Sequence, residues 1–167
     1  MGMGYHGGFG ATKGSYKMNY TGEYQKTSGR NYTRDELIAF LEGKTAQSSI
    51  IAEKIKKGEI RLSVIGDELF EKAFGVKSDI VGIAIDNKIY LRKNSVTLYS
   101  DIVHEGTHAL DFLKGLSYDK ISSWDGEIKA YIAEHHFQKA SGLAIQFDNE
   151  DDIKVHVWKN YRKRGGR

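Results

Sequence analysis

The sequence predicts an α+β fold: a small mixed sheet with one hairpin, packed on a central helix and on the helix that follows it. Three observations predict it. Apolar residues recur at spacings of three and four through YSDIVHEGTHALDFLKG, and a second strongly helical stretch follows in WDGEIKAYIAEHHFQKASG. Ahead of them, VGIAIDNKIYLRK alternates apolar and polar residues on both sides of Asp86-Asn87, a two-residue hairpin signal. The full order reads helix, helix, strand, helix, hairpin, helix, helix, which suits a sheet on one side of two central helices.

Residues 1–32 hold eight of the chain's 19 glycines and four Lys/Arg against one acid, while the remainder balances at 21 basic and 21 acidic residues. The net charge of +3 therefore lies in this stretch. It has little periodicity, and we expect a Gly-rich basic linker, or an arm that orders on contact, ahead of one domain at 33–167. GFGATKG lacks the spacing of a phosphate-binding loop. TRDELIAFLEGK and TAQSSIIAEKIKKG predict two short helices, the first opened by a capping box between Thr33 and Glu36. IRLSVI at 60–65 predicts a strand, and GDELFEKAFG a helix entered through Gly66 or Asp67. The last stretch, NEDDIKVHVWKNYRKRGGR, begins acidic and ends basic, as a helix dipole favours. It is expected to bury either Ile153, Val157 and Tyr161 or Val155 and Trp158.

The central helix carries the chemistry. Val96 to Lys114 contains no proline, and its interior Gly106 costs about 1 kcal/mol against alanine while admitting a close neighbour. Leu98, Ile102, Val103, Ala109, Leu110 and Leu113 form an apolar stripe, Asn94 or Ser95 can cap the start, and Gly115 marks the end. His104-Glu105-Gly106-Thr107-His108 is an H-E-x-x-H pattern. On a helix its histidines, at i and i+4, share a face and can reach one metal ion, with the glutamate beside a water on that ion. With three protein ligands and one open position, zinc lowers the pKa of that water to about 7.

A third ligand is needed, and with no cysteine in the chain it must be Glu, Asp or His. Eighteen residues separate His108 from Glu127, which begins a helical face continued by Ala130, Tyr131 and Glu134. Here the sequence resembles the gluzincin branch of the zincin metallopeptidases, in which a glutamate on the helix after the HExxH helix completes the site. HEGTHALDFLKG followed by EIKAYIAEHHF also resembles the core of anthrax lethal factor-type toxins and of HExxH domains in bacterial polymorphic toxins, over roughly residues 85–142.

The resemblance implies a zincin-like domain in which His104, His108 and Glu127 hold Zn2+ and Glu105 is the general base. It implies that Asp111 orients a ligand histidine. Glu134 is the rival third ligand, or the partner of a ligand histidine or an arginine; His135 is a lesser ligand candidate, and His136 points about 100° away from it. Tyr131 is the expected oxyanion donor, with Tyr118 and His156 as alternatives. Strand 89–92 would hold a peptide substrate by strand addition, as the edge strand of zincins does. The implied activity is zinc-dependent peptide-bond hydrolysis by a toxin effector domain, with a protein or peptide substrate and a cognate immunity protein as partners. Such domains often follow a long delivery protein, and residues 1–32 would then be the junction.

Composition narrows the field. No apolar run is long enough to span a membrane. No apolar stretch marks a secretory signal, and no cysteine can build a disulfide framework. Structural zinc sites usually use cysteine, so a metal here suits catalysis better. Two other readings fit the same residues. One is a zinc amidase acting on a small or modified amide, with a deep narrow pocket in place of an edge-strand groove. The other is a nucleic-acid-binding or interaction module with an inert HExxH, which would bind no zinc and show steeply salt-dependent affinity. The arm's basic and tyrosine mix is equally that of a plain tether, so nucleic acid is not the expected partner.

Overall fold

The computed structural model describes residues 3–7, 32–76, 80–116 and 123–165. These form, in order, β1 (Met3–Gly7), α1 (Arg34–Leu41), α2 (Ala46–Lys56), β2 (Arg61–Ile65), α3 (Asp67–Phe74), β3 (Ile80–Ile85), β4 (Lys88–Arg92), α4 (Leu98–Leu113), α5 (Ser123–Ser141) and α6 (Glu150–Gly165). The architecture is mixed α+β, as expected. Thr33 caps α1 with the expected box: its hydroxyl accepts from the Glu36 N–H and the Glu36 carboxylate accepts from the Thr33 N–H, both at 3.1 Å. Thr45 and Ser48 make a second box on α2.

The sheet runs β1-β3-β4-β2. β3 and β4 form the hairpin, pairing Ile83 with Tyr90 and Gly82 with Leu91. Asp86 turns the chain with φ 55, a conformation its short polar side chain tolerates. β2 joins β4 in parallel, which makes the sheet mixed. Within the stretch expected to be a linker or arm, Met3–Gly7 adds antiparallel to the other side of β3. The strand order corrects one expectation, that strand 89–92 is an edge. β4 is paired on both sides and is no edge; among the described strands the edges are β1 and β2.

α4 runs beneath the sheet and is buried along almost its whole length, from Leu98 to Leu110. Leu113, assigned to the apolar stripe, lies beyond that core and is exposed. α2 comes close at Gly106: a Cβ there would stand 2.7 Å from Cγ2 of Ile51. The N-cap is Thr97 instead of Asn94 or Ser95, and it makes no side-chain cap bond. Ser95 and Thr97 instead give their hydroxyl hydrogens to the buried Asp101, Thr97 at 2.8 Å, which pins the β4–α4 connection to the helix. α5 packs along α4, and α6 along α5. Ile153, Val157 and Tyr161 face inward with Tyr131 and Phe147, while Val155 and Trp158 are exposed, which decides between the two faces considered for α6.

Candidate metal centre

The i, i+4 spacing does what a helix requires. His104 and His108 project from one face of α4, and both are buried, at 0% and 4% exposure. α5 brings Glu127 across from them. His104 Nε2 lies 3.2 Å from Glu127 Oε2, and His108 Nε2 lies 3.1 Å from Glu127 Oε1. A tetrahedral ion with bonds of about 2.0–2.1 Å separates its ligand atoms by roughly 3.3 Å. Both distances are compatible with that, and ligand atoms of all three side chains lie within 4.8 Å of one another, close enough to share one ion. Among the described residues, His104, His108 and Glu127 are the group able to hold a metal ion.

The face of α5 that carries Glu127 continues through Ala130, Tyr131 and Glu134, all buried. Seven residues of helix rise about 10.5 Å, so two carboxylates two turns apart can clasp one imidazole from opposite edges. Glu134 does this: its Oε2 sits 3.0 Å from His104 Nδ1 while Glu127 meets Nε2. If Nε2 met a metal, Nδ1 would carry the proton and donate a hydrogen bond to Glu134. Gln138 donates to Glu134 at 3.4 Å and accepts the Gln146 N–H at 3.2 Å, anchoring the clasp to the chain after α5. Asp111, assigned this orienting role from the sequence, pairs instead with Lys129 of α5. It lies a turn past His108, where the α4–α5 seam opens to solvent.

The carboxyls of the centre differ in their surroundings. Burial alone would raise Glu127, but the charges and hydrogen bonds of His108 and His104 outweigh it and hold the carboxyl far below the usual range. It is an anion ready for a cation. Glu105 is fully buried, and that burial, with the like charges of Glu127, Asp101 and Glu134, pushes its carboxyl well up. Burial also raises Glu134, against the opposing pull of His104. A cation bound among them would relieve this crowding of acids. Gly82 of β3 makes the room: a Cβ there would stand 3.0 Å from Glu105 Cγ and 3.1 Å from Oε1.

Tyr131 lies fully buried beside the centre, its ring centroid 4.4 Å from that of His104 and its hydroxyl 3.0 Å from that of Tyr161. Burial and the charges of Tyr161, Glu127 and Glu134 keep it protonated. His156 is packed against Tyr131 and Phe147, with Nδ1 3.2 Å from Asn160 Nδ2. His135 is buried apart from the metal group, and His136 is exposed, 3.6 Å from Glu150. Tyr118 lies outside the described residues.

Sequence reasoning missed Gly82 and Asp101. A glycine inside a strand signals close approach of another group, and Ser95 and Thr97 just ahead of a helix signalled a partner in its first turn. Compared with known protein families, curated proteins and solved structures, the chain matches none.

The two glutamates of α5 should separate in a titration with zinc. Glu127→Ala removes a ligand and should abolish tight binding. Glu134→Ala leaves all three ligands and should weaken binding about 10–100-fold, the usual cost of losing a ligand's orienting partner. Glu134→Gln, which keeps an acceptor oxygen, should lie between Glu134→Ala and wild type. A larger loss from Glu134→Ala than from Glu127→Ala would exchange their roles.

Proposed function

We propose that this chain is a zinc-dependent peptide-bond hydrolase of the gluzincin type, acting as a toxin effector domain. The observation that carries the hydrolase reading is the convergence of two buried imidazoles and one buried carboxylate, with Glu105 on the same turn of helix as the histidines. Two imidazoles and a carboxylate, without thiolate, suit zinc in a catalytic setting and leave one position open. The toxin role rests on the resemblance of the HExxH and Glu127 segments to such domains.

Bound zinc would supply Lewis acidity and a water acidic enough to lose a proton near neutral pH. Glu105 would take that proton as the water oxygen bonds to the carbonyl carbon, and its carboxylic acid would give the proton to the amine as the carbon–nitrogen bond breaks. Glu134 keeps His104 in one tautomer and one orientation throughout. Tyr131, kept neutral by its surroundings, retains the O–H that an oxyanion donor needs.

A library of fluorogenic peptides tests the reading. Purified chain should cleave a subset of them, lose that activity with a chelator, and regain it with about one equivalent of zinc. Absence of cleavage across peptides and folded proteins, in chain loaded with zinc, would contradict it.

A further inference from the structure

We propose that Met3–Gly7 is a displaceable internal occupant of the outer edge of β3, and that it must leave before another extended peptide can use that edge as a docking track. What the track delivers to Glu105 rests on the hydrolase reading; the existence of the track does not. β3 has β4 on one side and β1 on the other. Without β1 it would present a row of backbone N–H and C=O groups, the template with which an extended peptide pairs.

Of the two sheet edges, this one lies at the candidate centre. β1, β3 and β4 all rest against α4, whereas β2 sits beyond β4. Gly82 is the point on β3 where Glu105 packs, within 3.1 Å of the absent Cβ. His6 is the register partner of Gly82. Opposed residues of an antiparallel pair have Cα atoms about 4.5–5.5 Å apart. A strand in the place of β1 therefore carries its backbone past Glu105, where a peptide would have to lie to be attacked.

The occupant is built to be displaced. β1 has five residues, and its register shifts between His6 and Gly7, beside Gly82. Such an irregularity interrupts the ladder and leaves fewer bonds to break. Two of its five residues are glycines, and the segment around it is rich in glycine, which loses much conformational freedom when it is ordered.

The test uses the full chain carrying Tyr5→Pro together with His6→Pro. Alternate N–H groups of an edge strand face its neighbour, so removing two adjacent ones must remove a ladder donor. Hydrogen exchange at Gly82–Ile85 should become at least tenfold faster. A fluorescein-labelled GMGYHGGF peptide should bind this variant at least tenfold tighter than wild type and restore the protection. Unchanged exchange would show that β1 does not hold the edge, and fast exchange without tighter peptide binding would show that the edge is no track. Either overturns the proposal. If the variant loses its native circular dichroism, wild-type chain with excess peptide decides: exchange should rise at Met3–Gly7 while Gly82–Ile85 stays protected, and no change at Met3–Gly7 overturns it. None of these readouts uses turnover. Peptide that binds and protects, yet is never cut, supports the track and removes only the hydrolase reading.

Discussion

His104→Ala and His108→Ala should each leave the chain with less than about 0.1 zinc per molecule, where wild type carries about one. Each substitution removes one of three protein ligands from a buried cluster, and Glu127 with one histidine cannot hold the ion against dilution. The expectation is specific to these two of the six histidines. His135→Ala and His136→Ala should keep full zinc, because one is buried away from the group and the other is exposed beside Glu150. Elemental analysis after desalting reads all four variants. Full zinc in His104→Ala or His108→Ala would remove the site.

Glu105→Gln separates binding from chemistry. The amide has the size of the carboxyl and fits the space beside Gly82, so fold and zinc content should survive. Hydrolysis should fall by about 10²–10⁴-fold, the usual worth of a positioned general base. Cells expressing the variant should grow normally if wild-type expression harms them. Wild-type turnover in the variant would show that Glu105 is not the base, and equal harm would show that toxicity arises elsewhere.

The parts legible in the sequence are those that a periodicity fixes. The i, i+4 histidines needed only a helix to meet, and Glu127 lay on a face whose spacing of three and four predicts burial. The Asp86-Asn87 turn and the Thr33 capping box are local signals, and both stand in the structure. What stayed illegible depends on neighbours distant in sequence. Asp111 and Glu134 were both acids on plausible faces, and only the register of α5 against α4 gave His104 to Glu134 and Lys129 to Asp111. β4 was read as an edge because strand order is not written in strand sequence; β2 covers it from the parallel side. β1 was hidden by its own glycines, which carry none of the β-branched signal that marks a strand.

The central claim is that His104, His108 and Glu127 together hold one zinc ion. X-ray absorption at the zinc edge of chain loaded with one equivalent tests it most directly. The spectrum should show two imidazole nitrogens and a carboxylate oxygen at about 2.0–2.2 Å, with one further light atom completing four-coordination. An all-oxygen shell, or fewer than two imidazoles, would contradict it.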